Sequence, residues 1–132
     1  MGSRRYLADM VATIPTWITM IINRKELDVA PKDGNKPNKP QPQTGSEYIA
    51  ALEQSSDEAR KALKETTEAH LKTHWKLLVS RNAVADTPRH EMIRDTINHW
   101  AHHRGQMTVY LRLMGAKAPA LYGPSADDKR FD

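Results

Sequence analysis

Three of the six histidines fall within five residues, in the stretch Asn98-His99-Trp100-Ala101-His102-His103-Arg104-Gly105-Gln106. The stretch lies inside a helical pattern running roughly from Arg89 to Met114. On an α-helix, at about 100° and 1.5 Å per residue, His99 and His103 stand about 40° apart and one turn along. That spacing presents two imidazoles to one metal ion, as H-x-x-x-H zinc helices do. His102 points about 100° away from His103 and is less well placed to share the ion. Two imidazoles are not a site, because a structural or catalytic zinc needs at least three protein ligands. The competing reading is a set of helix-surface or core histidines bonded to carboxylates or backbone. Spacing alone leans that way, since i,i+4 pairs also arise by chance.

Other chemistries find less support. There is no cysteine, hence no disulfide framework, thiol nucleophile or thiolate ligand. A cytoplasmic address fits, although a cysteine-free chain suits any compartment. With 132 residues, 39% apolar and 27% charged, the composition reads as one soluble domain with a single core. No apolar run approaches the ~18–20 residues that span a bilayer. The best candidate, Ile14 to Ile22, is interrupted by Pro15, Thr16 and Thr19, and it lacks the flanks of a signal peptide. The net charge of +4 comes from 20 basic and 16 acidic residues that are interspersed. Nucleic-acid binding wants basic residues gathered on one surface, so it ranks last. No Gly-rich phosphate loop and no internal repeat is present.

The elements that position the histidines follow from periodicity and punctuation. Residues 4–23 read as a helix, with Leu7, Met10, Val11, Ile14, Ile18, Ile21 and Ile22 three and four apart. Pro15 is expected to kink or divide it, because proline cannot donate back to Val11. Leu27 to Ala30 reads as an extended segment. Residues 31–46 carry four prolines and two glycines and form a long crossover, which allows successive helices to run parallel. Thr44 or Ser46 caps a second helix over 47–66, with Tyr48, Leu52, Ala59 and Leu63 on one stripe. His70 to Trp75 resembles a helical turn, and Trp75 to Val79 a short extended piece. The longest helix is expected over 88–114, with Thr87 as N-cap, Pro88 in first position and Gly115 closing it. Leu121 and Tyr122 suggest that the tail, 116–132, docks onto the helices. The expectation is one all-α domain over 1–132, of four-helix-bundle type with three main helices.

Three blocks together resemble the DinB/YfiT-like superfamily of four-helix bundles: LADMVATIPTW (Leu7–Trp17), NHWAHHRGQMTVYLRLMG (Asn98–Gly115) and APALYGPSADD (Ala118–Asp128). The resemblance covers essentially the whole chain. It implies a divalent metal, zinc or nickel, held by three histidines. Two belong to the H-x-x-x-H pair, His99 and His103, and the third comes from a pattern like L-A-x-H-V-A-x-x-P-x-W. Here the third position is Met10. A thioether suits copper(I) better than zinc or nickel, and on this apolar stripe Met10 reads as core filler rather than as a ligand. Asp9 is rotated about 100° from that position. His70, His74 and His90 are further histidines whose distance from the pair depends on the fold.

Such proteins also carry a helix before the Leu-Ala-x-His helix, whereas only Met1 to Arg5 precede it here, so the resemblance implies a bundle lacking its first helix. The implied function is a divalent-metal-dependent enzyme of thiol-transferase or hydrolase type, with a weakly bound metal and an impaired site. Its substrate would be a small thiol or another small molecule, with Arg104 and Gln106 holding an anionic part of it. The alternative is a metal-free binding or stress-related bundle without catalysis. Three apolar stripes in a four-helix design leave a groove, which a second copy would cover to form a homodimer. The faces expected to meet are the Leu7–Ile22 helix and Ile93, Ile97, Trp100, Met107 and Leu111. The competing possibility is that Trp75–Val79 and the tail fill the groove from within one chain.

Overall fold

Helix α1 (Ser3–Asn23) buries the predicted stripe of Leu7, Val11, Ile14, Ile18, Ile21 and Ile22. A computed structural model of the chain describes residues 3–32, 34 and 41–130, the side chains of residues 3 and 4 excepted. The helix is not divided at Pro15 but continues through it. Pro15 has no N–H to offer the Val11 carbonyl, and the indole N–H of Trp100 donates to that carbonyl at 2.9 Å instead. One residue on, the Ser55 hydroxyl donates to the Ala12 carbonyl at 2.8 Å. The indole thus supplies the donor that the proline lacks, and the serine adds a second tie between the helices.

Helix α2 (Gly45–Glu65) starts at a capping box. The Thr44 hydroxyl accepts from the Glu47 N–H, while the Glu47 carboxylate accepts from the Thr44 N–H at 3.2 Å. Small buried residues, Ser55, Ala59 and Ala62, let α2 approach α1 closely. A single turn, α3 (Glu68–Leu71), is capped by Thr67. Helix α4 (Arg89–Leu113) packs on the other flank of α1. It ends where Gly115 takes a φ of +76°, with the Ala116 N–H bonded to the Leu111 carbonyl at 2.9 Å. That is the left-handed closure which glycine permits without a Cβ clash.

The all-α expectation is corrected by a three-stranded sheet. Strands β1 (Glu26–Asp28), β2 (His74–Val79) and β3 (Asn82–Pro88) lie in the order β1-β2-β3, with β1 parallel to β2 and β2 antiparallel to β3. Leu27–Ala30 and Trp75–Val79 read individually as extended. Segments of three and six residues are nevertheless too short to announce a ladder whose partner lies some fifty positions away. The hairpin turn is also disguised, since Ser80 and Arg81 adopt φ of +49° and +70° where Gly or Asn is customary. The Asp28 carboxylate secures this turn by accepting from the backbone N–H groups of Ser80 at 3.0 Å and Arg81 at 2.8 Å. Thr87 does not cap α4. It pairs with Trp75 in the sheet, and the cap position falls to Pro88, which makes no side-chain cap bond.

The sheet closes one end of the helices. Trp75 of β2 enters a cluster with Ile18, Ile21, Ile22, Ala59, Ala62 and Ile93, and Leu27, Leu71, Leu77 and Met92 pack around it. Arg89 is buried beside this cluster. Its guanidinium donates to the carbonyls of Ile21 and, at 2.7 Å, Arg24, and its Nε–H to the Thr73 hydroxyl at 3.0 Å. A cation at the C-terminus of α1 meets both the unpaired carbonyls and the negative end of the helix dipole.

Of the crossover expected over 31–46, residues 33 and 35–40 lie outside the described residues, as do residues 131 and 132 of the tail. The described part of the tail turns on its own carboxylates. Asp127 accepts from the Ala118 N–H and lies 3.4 Å from Arg112, and Asp128 accepts from the Ala120 N–H. Ala118 is buried, whereas Tyr122 is 84% exposed. Among the described residues the chain therefore has four helices, one of them a single turn, and three strands.

Candidate functional site

Helix α4 runs antiparallel to α1, so the ring of Tyr6 meets His103 edge-on and the ring of Trp17 meets His99. Between these aromatic contacts the two imidazoles face one another, with Nε2 to Nε2 at 2.8 Å. His103 is buried at 9% exposure. Its Nδ1 lies 2.9 Å from Oε1 of Gln106. An amide oxygen only accepts, so His103 carries its proton on Nδ1 and holds a bare lone pair on Nε2. His99 then donates from Nε2 to complete the bridge. Desolvation of the His99 ring, then the neighbouring imidazoles of His103 and His102, hold its pKa below the usual histidine range.

The two Nε2 atoms converge as a pair of metal ligands would, within about half an ångström of the spacing an ion needs. A tetrahedral ion with metal–nitrogen distances of about 2.0–2.1 Å keeps its imidazole nitrogens about 3.3 Å apart. A separation of 2.8 Å is a ring-to-ring hydrogen bond.

Among the described residues no third His, Cys, Asp or Glu joins the pair. His70 bonds through Nε2 to the Ile22 carbonyl at 2.7 Å, helping Arg89 to close α1. His74 pairs with Asp86 at 2.8 Å, and His90 Nδ1 lies 3.1 Å from the Leu71 carbonyl. Asp9 faces α2, where the Tyr48 hydroxyl donates to it at 2.8 Å. Among the described residues no group of three or more His, Cys, Asp or Glu is placed to hold a metal ion. Of the three histidines that the resemblance implies, the described residues bring two together, His99 and His103.

Met10 is the residue at the third-ligand position that the resemblance implies. It lies on the α1 stripe between Tyr6 and Trp17, about 40° from the first and about 20° from the second. Those two rings lie against His103 and His99.

Arg104 and Gln106 each have a partner within the chain. Arg104 stacks between Trp100 and Tyr122, its guanidinium carbon 5.5 Å and 5.4 Å from the ring centres, and it donates to the Tyr122 hydroxyl at 2.8 Å. It thereby ties the tail to α4. Gln106 orients His103. Sequence reading missed that orienting role, although the i,i+3 spacing of His103 and Gln106 signals it. It also missed Tyr6 and Trp17 as the ring neighbours of the pair, for which their place on the Met10 stripe was the available clue.

Two openings flank the pair. Beside His99, a pocket of about 310 Å³ is lined by Trp17, Met20, Leu27, Trp75 and Met92, nearly all of it apolar. Beside His103, a cleft of about 460 Å³ lies between Tyr6, Leu7, Gln106 and Tyr110.

A helical core closed by a small sheet, with two opposed imidazoles between α1 and α4, defines the class. Within it, the sequence profile of the DinB family matches residues 3–130, and the chain belongs to that family. A similar relative is the uncharacterized protein YrdA of Bacillus subtilis (strain 168). It is 42% identical over 41 residues, which cover 31% of this chain and 25% of that protein, so the match spans a quarter of the relative's length. No solved structure gives a significant match. Among the described residues no helix is long and apolar enough to cross a membrane.

Proposed function

We propose that this chain is a DinB-family protein whose divalent-metal site is reduced to the pair His99 and His103, with Met10 in the third-ligand position. Zinc or nickel then binds weakly, and thiol-transferase or hydrolase chemistry that depends on such a metal is impaired. What the site keeps is a place for a small molecule, in the apolar pocket against His99. The observation that carries this reading is the 2.8 Å contact between the two Nε2 atoms, with no third His, Cys, Asp or Glu brought to them among the described residues. Elemental analysis of the purified protein, with a zinc titration of the same sample, is the test. Substoichiometric metal and weak zinc uptake support the reading. One tightly held zinc or nickel per chain overturns it.

The homodimer belongs to the same proposal. Leu63 and Ile97, 40% and 46% exposed, stand at an apolar cleft of about 210 Å³ formed by Ile14, Pro15, Ile18, Ala59 and Trp100. Ile93, one of the residues expected at the interface, is instead buried in the core at 7% exposure. The face a second copy would cover is therefore the α1–α2–α4 cleft around Ile97.

A further inference from the structure

We infer that the pocket between the sheet, α1 and α4 takes a small arylalkylamine, its ring held inside and its ammonium group at the mouth with Asp95 and His99. The inference rests on the reading that this pocket keeps a small molecule, and it names the chemistry of that molecule.

Three observations carry it. First, the body of the pocket is aromatic and apolar. Trp17 and Met20 of α1, Leu27 and Trp75 of the sheet and Met92 of α4 wall a space of about 310 Å³. That is the lower end of the range for small-molecule sites, roughly 300–1,000 Å³. Indole faces attract a cation as well as a ring, and unbranched thioethers adapt to the outline of what enters. Second, the polar side chains of the lining, apart from the indoles, all come from α4: Asp95, Thr96 and His99. The Thr96 hydroxyl is already committed to the Met92 carbonyl at 2.8 Å. Asp95 and His99 stand one turn apart on the same helix, and both reach the surface. Third, both of these groups accept. The Asp95 carboxylate has only lone pairs to offer. His99 donates from Nε2 to His103, whose own proton Gln106 holds on Nδ1, so the nitrogen left to His99, its Nδ1, is an acceptor. Among the described residues no lysine or arginine lines the pocket. A carboxylate or phosphate head would therefore meet a carboxylate and a lone pair, whereas an ammonium group donates to both. Arg94 lies 3.7 Å from Asp95, but an exposed pair between adjacent residues holds the carboxylate only weakly.

The test is nitrogen–proton NMR of the whole chain, treated with chelator so that no metal contributes, during titration with phenethylamine. Hydrocinnamate and methyl phenethyl ether, which put a carboxylate and an uncharged acceptor on a similar body, are the comparison ligands. The three indole N–H signals report position, because Trp17 and Trp75 line this pocket and Trp100 lines another. The expected result is saturable shifts of the Trp17 and Trp75 signals, with phenethylamine binding more tightly than either comparison ligand. Asp95→Asn should weaken phenethylamine by about tenfold or more, the effect of losing a charge-assisted hydrogen bond. Asp57→Asn, on the exposed face of α2, should leave it unchanged. Circular dichroism verifies that each variant is folded. Equal affinities for the three ligands, a preference for hydrocinnamate, or undiminished phenethylamine binding by Asp95→Asn overturns the inference and leaves the small-molecule pocket standing. If none of the three ligands moves the Trp17 or Trp75 signal, the pocket reading falls with it. The zinc titration judges the reduced metal site separately.

Discussion

The indole N–H of Trp100 donates to the Val11 carbonyl at 2.9 Å, and Val11 is the residue whose helical partner Pro15 cannot supply. A flaw in one helix is thus repaired by a side chain from another. The repair fixes α4 against α1 one residue after His99, so it also sets the depth at which the imidazole pair sits.

Trp100→Phe should cost about 1–3 kcal/mol in urea unfolding, because it leaves a carbonyl without its donor. In a Pro15→Ala background the alanine N–H is available to Val11, and the same substitution should cost less. A double-mutant cycle measures the difference. Additive costs would show that the tryptophan acts only by packing.

Arg89 gathers the end of α1, the Arg24 carbonyl and Thr73 from one buried position. Arg89→Met keeps much of the volume but removes these charge-assisted bonds, and should destabilise the fold by about 3 kcal/mol. A change within about 0.5 kcal/mol, the range of ordinary surface substitutions, would contradict the capping role.

His99 should make stability depend on pH. Its folded pKa is depressed below the ordinary value of 6.5 by desolvation of the ring and by His103 and His102. Above that value both folded and unfolded chains are neutral at this ring, and its contribution is intact. As pH falls, the unfolded chain takes up a proton that the folded ring resists, so stability is lost until the folded pKa is passed. The urea midpoint of the wild type should therefore drop more between about pH 7.5 and 5.5 than that of His99→Gln. Parallel curves would refute the assignment to His99.

The cleft around Leu63 and Ile97 predicts dimers at micromolar concentration in light scattering, with Ile97→Asp shifting the protein to monomer. A wild type that is monomeric throughout would remove the homodimer from the account.

The three long helices were legible because each carries an apolar stripe over more than twenty residues, with Thr44 and Gly115 as punctuation. Their observed spans, Ser3–Asn23, Gly45–Glu65 and Arg89–Leu113, compare with expected spans of 4–23, 47–66 and 88–114. The sheet was not legible. β1 pairs with β2 across fifty residues, and the Ser80-Arg81 turn lacks the glycine that would mark it. At the site, the H-x-x-x-H spacing pointed to His99 and His103. The roles of Arg104 and Gln106 depended on which way each side chain turns, and periodicity does not encode that. Arg104 went to the exposed Tyr122 and Gln106 to His103.

Calorimetric titration of zinc into the wild type and into Met10→His tests the central claim most directly. The reduced-site account predicts weak binding by the wild type and a gain on the order of a hundredfold or more once a third imidazole faces the pair. Equal affinities in the two proteins, or tight zinc binding by the wild type, would contradict it.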